Sequence, residues 1–251
     1  MFATATLNAP RSRPVLPQSL LGGAPDFAPD VLRRGAKPAA PGLACVLESL
    51  GANSASVRAE RDEEIVAQAD PAGYCYLVVS GCARTVKLME DGRRQVGEFL
   101  LPGDLFGWEA LEEHDFGLEA VSAAAFLRFP RAAFYALADR DRDFARRLRE
   151  LTAGQLRAGR ERMVLLGRKT ASERIASFLL EMAERIRPEA GTMIELPMSR
   201  ADMADYLGLT IETVCRGLTQ LRTQRVIAVE RSRIVILDRR ALGVAGCEVV
   251  H

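Results

Sequence analysis

The pattern of hydrophobic and polar residues changes three times along this chain. Residues 1–42 show no regular period, residues 43–130 alternate in short segments, and residues 131–168 follow a helical period. Residues 169–251 combine helical segments with a final alternating segment. These changes predict an α+β protein with four parts: an arm, a β-rich domain, a long helix and a C-terminal domain.

The segment 43–130 is predicted to fold into a small β-sandwich or barrel. Strands are predicted at residues 76–79, 85–88 and 95–101, with glycines between them. Asp91-Gly92 separates two alternating segments, which is a strong hairpin signal. Many short strands at close intervals are typical of a closed or doubly layered β structure.

The segment 131–168 contains few helix breakers and is predicted to form one long helix. Its seam positions recur at intervals of four and three, and they are Phe144, Leu148, Leu151, Gln155, Ala158, Arg162 and Leu165. This spacing averages 3.5 residues, the period of a coiled coil. We therefore expect the helix to pair with its copy in a homodimer, although the same stripe would also suit packing on its own domain.

Met198–Arg222 reads as two short helices joined by a tight turn. Ser199 and Asp202 are spaced as a capping box, which satisfies unpaired amides at a helix start. Gly208 permits the left-handed backbone that ends the first helix, and Thr210 is a favourable cap for the second. Two bundle helices would show similar stripes, but small residues at Ala204 and Gly208 favour a helix-turn-helix.

The second helix has two distinct faces. Its predicted core face consists of Ile211, Val214, Leu218 and Leu221. Glu212, Arg216 and Thr219 lie on the opposite face and are predicted to be free. Gly217 lies inside this helix, where glycine costs about 1 kcal/mol relative to alanine, so either the helix is less rigid or a neighbour approaches closely.

The segment 169–251 contains a further helix before this motif and a hairpin after it. Thr170 and Glu173 form a second capping-box pattern at the start of the helix. The later segment VIAVERSRIVIL alternates about a polar turn and predicts the hairpin of a winged helix. Nearby arginines are candidates for phosphate contacts, and they are Arg231, Arg233, Arg239 and Arg240.

The net charge of +1 conceals an uneven distribution. Residues 43–130 carry 7 basic and 15 acidic groups, whereas residues 131–170 carry 11 and 5. Residues 197–240 carry 8 and 5. The acidic part should avoid nucleic acid and the basic parts are suited to approach it.

Composition limits the cellular setting and the chemistry. No segment is apolar for long enough to span a membrane, and the N-terminus lacks the order of a secretory signal, so a cytoplasmic protein is expected. Five cysteines without a C-x-x-C pair fit reduced thiols. Only two histidines are present and no metal-ligand spacing is found, so no metal site is predicted. The sequence also contains no serine or cysteine nucleophile with a histidine nearby and no phosphate-binding loop, so no enzyme is predicted.

Two segments resemble the CRP/FNR family of bacterial transcription regulators. The segment I-E-T-V-C-R resembles the recognition helix of the FNR and FixK branches, which typically carry E-x-x-S-R. The segment YLVVSGCARTVKLMEDGRRQVGEFLLPGDLFG resembles the family's cyclic-nucleotide-binding β-roll. The resemblance covers about residues 45–240 and implies a β-roll, a dimerisation helix and a winged helix-turn-helix. The implied partners are double-stranded DNA, a second copy and RNA polymerase.

No cofactor is predicted. Nucleotide-binding members use an arginine and a hydroxyl for the cyclic phosphate, but no arginine lies between Gly107 and Arg128, and that loop is acidic. Oxygen-sensing members hold an iron-sulfur centre with several N-terminal cysteines, whereas residues 1–45 of this chain contain Cys45 alone. His114 is expected to be a solvated loop residue. The alternative is a regulator that responds to haem, nitric oxide or a nucleotide.

Arg216 and Glu212 are predicted to read base edges. A guanidinium donates two hydrogen bonds to guanine, and a carboxylate accepts one from cytosine. CRP-like members have arginine where this chain has Ile211, so a palindrome resembling TTGAT-N4-ATCAA is expected. The remaining predicted DNA contacts are Ser199, Thr210, Thr213 and Cys215. Cys215 replaces the usual serine and is either a small boundary residue or a redox switch whose oxidation blocks binding.

Overall fold

The computed structural model describes residues 54–186, 193–230 and 233–246. The predicted arm, residues 1–42, lies outside these ranges. The N-terminal strands are β1 (Ala55–Ala59), β2 (Glu64–Val66), β3 (Tyr74–Ser80), β4 (Ala83–Leu88), β5 (Arg94–Leu100), β6 (Leu105–Phe106), β7 (Gly117–Ala120) and β8 (Ala124–Pro130). The predicted strands at 76–79, 85–88 and 95–101 therefore correspond to β3, β4 and β5.

These strands form two antiparallel four-stranded sheets, with the orders β1-β8-β3-β6 and β2-β7-β4-β5. Alternate residues point inward, and Val78, Leu118 and Phe126 are each almost fully buried between the sheets. The hairpin predicted at Asp91-Gly92 joins β4 to β5. Two facing antiparallel sheets bury one side of every strand, which explains the alternation in the sequence.

Glycines with positive φ lie where the roll turns. They are Gly81, Gly92, Gly103 and Gly107. At Gly81 a β-carbon would lie 2.3 Å from the carbonyl oxygen of Ala123, so only glycine fits there. The roll therefore depends on glycine both for backbone conformation and for close packing.

The long helical segment is interrupted once, which the sequence analysis did not predict. Helix α1 (Arg131–Arg140) ends at Asp141, and α2 (Arg142–Arg168) follows directly. The Asp141 carboxylate accepts hydrogen bonds from the backbone amides of Asp143 and Phe144. Asp141 therefore caps a new helix, because its side chain satisfies amides that a continuous helix would pair internally.

Within the described residues, the C-terminal part contains four helices and a three-stranded sheet. The elements are α3 (Ala171–Ile186), β9 (Met193–Glu195), α4 (Arg200–Leu207), α5 (Ile211–Thr223), β10 (Ile227–Glu230), β11 (Arg233–Ile236) and α6 (Arg239–Ala245). The predicted wing hairpin is β10-β11, and β9 adds to its β11 edge, which was not predicted. Helix α3 begins at the predicted capping pair Thr170 and Glu173.

One apolar core runs from the roll into the C-terminal helices. Phe99 of β5 packs against Phe178 of α3 and Tyr206 of α4, with ring centroids 6.1 Å and 5.1 Å apart. The same cluster includes Val96, Leu218 and other buried residues from both parts. The predicted divisions at residues 130 and 168 therefore do not separate independent cores. None of the described helices is both long and apolar enough to cross a bilayer.

Candidate DNA-binding interface

Helices α4 and α5 form the helix-turn-helix with the predicted caps. The Ser199 hydroxyl accepts from the amide of Asp202, and the Asp202 carboxylate accepts from the amide of Ser199 at 2.9 Å. Gly208 ends α4 in the left-handed conformation with φ of 61°. The Thr210 hydroxyl then accepts from the amide of Thr213 at the start of α5. Each boundary of the motif is thus fixed by local chemistry.

The two helices cross through small and apolar residues. Met203, Ala204 and Leu207 of α4 are buried, as are Val214 and Leu218 of α5. Leu221 is buried as well. The predicted core face is correct at these positions, and this packing holds α5 firmly against the rest of the domain.

Ile211 departs from the predicted core face. Its side chain is 46% exposed because it occupies the first position of α5, beyond the end of the buried stripe. The prediction that Ile211 belongs to the core face is therefore wrong. Ile211 lies next to Glu212 at the exposed start of α5. Only apolar contacts are open to it.

Gly217 is explained by close helix packing. A β-carbon at this position would lie 2.4 Å from Cδ1 of Ile175 on α3, and Ile175 is fully buried. The second of the two sequence interpretations, close approach by a neighbour, is therefore correct. The absent side chain lets α5 sit directly on α3.

The free face of α5 presents the predicted reading residues to solvent. Glu212, Cys215, Arg216 and Thr219 are exposed, and Thr213 is half-buried. Glu212 and Arg216 are four residues apart and so share one side of the helix. An acceptor and a forked donor therefore stand next to each other on a protruding helix, which is the arrangement needed to contact adjacent base pairs.

The Glu212 carboxylate is held in its ionised form. Its own backbone amide donates to it, and together with the Thr210 hydroxyl and the nearby Arg216 charge this lowers its pKa below the ordinary value. The backbone amide of Glu212 can donate to the side chain because it belongs to the first turn of α5 and has no partner within the helix. Glu212 therefore acts as an acceptor rather than a donor at neutral pH.

Arg200 is a neighbour of Cys215 that the sequence analysis missed. It is the first residue of α4, and its guanidinium contacts the sulfur of Met203 at 3.4 Å. Burial lowers the pKa of Arg200, and its interaction with Cys215 acts in the opposite direction. The Arg200 guanidinium therefore lies near enough to Cys215 for the two side chains to interact electrostatically.

The predicted phosphate contacts around the wing are placed unequally. Arg231 lies outside the described residues. Arg233 pairs with Glu195 at 3.4 Å, and Arg239 pairs with Glu184 at 2.7 Å. Arg240 is exposed. Two of these arginines are therefore already engaged within the protein, and their charges are partly neutralised.

The seam predicted on α2 faces the protein's own domains. Phe144 is 2% exposed and packs edge-on against Phe134, while Leu148 and Leu151 cover the same cluster. Farther along, Leu165 packs against the core of the C-terminal part. Phe144 is therefore not available to a partner, because its surface is already buried in its own protomer.

The rest of that seam is less buried. Gln155 is half-buried and Ala158 is exposed. Arg162 stacks over the Tyr206 ring with its guanidinium carbon 3.3 Å from the centroid. The exposed apolar side chains of α2 are instead Leu156, Met163 and Val164, at 57%, 74% and 56% exposure.

The loop after β6 places His114 in the interior, which its acidic composition did not suggest. His114 is 4% exposed and stacks on Phe106 with ring centroids 5.0 Å apart, so the expectation of a solvated residue is wrong. Burial lowers its pKa. It packs there because Gly107 has no side chain to fill the same space.

Inside the roll, one guanidinium is incompletely satisfied. Arg128 of β8 lies 4.4 Å from the Tyr74 ring, and its buried Nε has no hydrogen-bond partner among the described residues. Within the same ranges, no group of three His, Cys, Asp or Glu side chains is placed to hold a metal ion.

The fold and this interface define a β-roll protein with a winged helix-turn-helix. Residues 56–141 match the cyclic nucleotide-binding domain model, and residues 173–244 match the Crp-like helix-turn-helix domain model. The chain is 47% identical to the nitrogen fixation regulation protein FixK of Azorhizobium caulinodans over 186 residues, which is 72% of this chain and 75% of that protein. It is 39% identical to the transcriptional activator protein FnrL of Cereibacter sphaeroides, over 70% of this chain and 73% of FnrL.

The structural comparison agrees with these relatives. FixK2 from Bradyrhizobium japonicum superposes with a TM-score of 0.74 at 43% identity, covering 79% of this chain and 98% of that structure. The chain belongs to the CRP/FNR family of transcription regulators, within its FixK-like branch. It is therefore a DNA-binding regulator, and its family is not one of enzymes.

Proposed function

We propose that the protein acts in the cytoplasm as a homodimeric transcription activator that binds an FNR/FixK-type palindrome resembling TTGAT-N4-ATCAA. The observation that carries this proposal is the exposed pair Glu212 and Arg216, one turn apart on a helix held by α3 and α4. Arg216 donates to the guanine of the half-site, and Glu212 accepts from a cytosine on the complementary strand. Two copies read the two halves of the palindrome.

The remaining predicted contacts surround this pair. Thr213 and Cys215 lie between its two members in the sequence of α5, and Ile211 offers apolar contact at the helix start. Ser199 is exposed at the start of α4, and Thr210 caps α5. Hydroxyl groups and backbone amides at helix N-termini are suited to phosphate oxygens, so Ser199 and Thr210 orient the motif on the backbone of the DNA.

The dimer interface follows the exposed apolar residues of α2. Leu156, Gly159 and Met163 recur at intervals of three and four, one residue beyond the predicted Gln155, Ala158 and Arg162. A shift of one residue rotates the seam by ~100° around the helix. The proposed seam keeps the coiled-coil period of the sequence prediction and uses the face that the protomer leaves open.

The regulatory setting is proposed from the relatives. FixK is described as a nitrogen fixation regulation protein and FnrL as a transcriptional activator protein. Oxygen- or redox-linked gene control, exerted through RNA polymerase, is the corresponding role for this chain. The exposed Cys215 thiol on the DNA-facing helix supports a redox component.

Base readout by Arg216 is tested by measuring DNA affinity with matched duplexes. The full-length protein should prefer the palindrome over a duplex whose guanines are replaced by adenine. Arg216→Ala should weaken palindrome binding by about a hundredfold or more and abolish that preference, since each bidentate base contact contributes ~1–3 kcal/mol and the dimer loses two of them. Arg146→Ala is the matched control, because it removes an exposed helical arginine away from α5.

Two results would contradict this function. Equal affinity of the wild type for palindromic and scrambled duplexes would exclude a sequence-specific regulator of this type. A guanine preference that survives in Arg216→Ala would remove Arg216 from base readout.

A second candidate, a regulator that responds to a bound ligand, is favoured by Arg128. Its unpaired Nε lies inside the roll beside Tyr74, and a buried donor without a partner is costly unless something satisfies it. Saturable binding of haem, nitric oxide or a cyclic nucleotide by the full-length protein, lost in Arg128→Met, would support this candidate over a ligand-independent regulator.

A further inference from the structure

Arg84 links the roll to the helix-turn-helix through a buried guanidinium. It lies on β4, and its Nη1 donates to Oδ1 of Asp202 on α4 at 2.7 Å. Its Nε donates to Glu119 at 2.8 Å, and its Nη2 donates to Asp62 at 3.0 Å. The side chains of Arg84 and Asp202 are 7% and 5% exposed, so little water competes with this contact.

Asp202 divides its two oxygens between two tasks. Oδ2 accepts from the backbone amide and the hydroxyl of Ser199, at 2.9 Å and 2.8 Å, and so caps α4. Oδ1 accepts from Arg84 and from Nη2 of Arg94, the latter at 3.2 Å. One carboxylate therefore both starts the first helix of the DNA-binding motif and attaches it to the roll.

Further contacts hold the other end of α4. Arg94 Nε donates to Oδ2 of Asp205 at 2.8 Å, and Gln95 Nε2 donates to the carbonyl oxygen of the same residue at 2.6 Å. Arg162 of α2 donates to the carbonyl oxygen of Tyr206 at 3.2 Å. Helix α4 is thus fixed at its beginning by Arg84 and near its end by β5 and α2.

Fixing α4 also fixes the recognition helix α5. Gly208 allows only a tight turn between them, and Gly217 seats α5 on α3 without an intervening side chain. The roll therefore determines where the reading face points. In a dimer bound to a palindrome the two recognition helices must match half-sites about one helical turn apart, or 34–36 Å.

We propose that Arg84 is a positioning residue for DNA binding, which sets the orientation of the helix-turn-helix against the roll and thereby the half-site spacing that the dimer accepts. The proposal rests on the proposed function, because spacing has meaning only for a dimer on a palindrome. Arg84 itself is buried and acts through Asp202.

Removing Arg84 leaves the buried Asp202 carboxylate with a weakened attachment to the roll. The helix-turn-helix stays packed on the roll through the cluster of Phe99, Phe178 and Tyr206, but α4 takes up more than one orientation because its beginning is no longer held by Arg84. If about one molecule in ten has the competent orientation, palindrome affinity falls about tenfold. Binding of one motif to one half-site needs no fixed orientation and is unaffected.

The test measures affinities of the full-length protein for three kinds of duplex: a single half-site, the palindrome with its four-base spacer, and palindromes with shorter or longer spacers. Arg84→Met is compared with Arg93→Met, which removes an exposed, Asp91-paired arginine from the β4-β5 hairpin. We expect Arg84→Met to bind the four-base palindrome about tenfold more weakly, to lose its preference for that spacer, and to bind the half-site as the wild type does. Arg84→Lys should restore part of the spacer preference.

The outcomes separate the two proposals. A wild type that shows no palindrome preference overturns the proposed function. A wild type with a sharp spacer preference that Arg84→Met retains overturns only the positioning role, as does an equal loss of half-site and palindrome binding. If Arg84→Met does not fold by circular dichroism, Asp202→Asn replaces it, because asparagine keeps an oxygen for Ser199 but loses the charge. Failure of both variants to fold would assign the contact to stability and overturn the proposal.

Discussion

Cys215 differs from the other thiols that the structure describes. Burial raises the pKa of Cys75 and of Cys82 to about 12, so both stay protonated and unreactive at neutral pH. Cys215 is exposed on the free face of α5, close to Arg200 and next to Arg216. Oxidants should therefore reach Cys215 and spare the two buried cysteines.

The redox interpretation of Cys215 predicts a reversible loss of DNA binding. Peroxide should weaken palindrome binding by the wild type about tenfold or more, because an oxidised sulfur is larger and more polar at the DNA surface. Dithiothreitol should restore binding, and Cys215→Ala should not respond. Anisotropy titrations check the affinity, and mass spectrometry checks that Cys75 and Cys82 remain unmodified. If both proteins respond alike, Cys215 is simply a small residue at the boundary of the interface.

At the scale of elements, the contact between α3 and α5 limits what the recognition helix tolerates. Gly217→Ala should destabilise the protein by about 1 kcal/mol, because the clash with Ile175 outweighs the gain in helix propensity. Gly154→Ala is the matched control, since nothing lies within 4 Å of that position in α2. It should stabilise the helix by about 1 kcal/mol. Urea unfolding measures both changes.

A double variant identifies the cause. Ile175→Val removes Cδ1, the atom that a new β-carbon would meet. In that background Gly217→Ala should become neutral or stabilising. If it remains equally destabilising, Ile175 is not the reason for glycine at this position.

Elements defined by neighbouring residues were predictable from the sequence. The capping box at Ser199 and the left-handed turn at Gly208 each involve residues within a few positions of one another. A short stretch of sequence is therefore enough to predict them. The stripe on α2 was less informative. Its period shows that a face is buried, but not whether Phe144 meets the same protomer or another one.

At the scale of the whole molecule, the proposed dimer seam consists of exposed side chains of α2. Leu156→Glu should weaken the dimer about a hundredfold or more, because a charge buried in an apolar seam costs several kcal/mol. Ala158→Glu tests the seam predicted from the sequence and should leave the dimer intact. Sedimentation equilibrium of the full-length protein measures both. The reverse result would restore the predicted seam and remove the shifted one.

Contacts between distant parts of the chain were beyond prediction from one sequence. Arg84 and Asp202 are separated by 118 positions, and no local pattern connects them. Arg84 did not stand out locally, because β4 also contains Thr85 and Lys87 and the predicted strand began only at residue 85. His114 was misassigned for a similar reason, since its stacking on Phe106 depends on how the loop folds back.

The apolar cluster around Phe99, Phe178 and Tyr206 also restricts how this protein can be recombined. A chimaera that joins the C-terminal part of this protein to a foreign sensor domain would leave an apolar surface at the junction without a complementary partner. Exchange of either domain therefore requires matching substitutions on both sides of that junction.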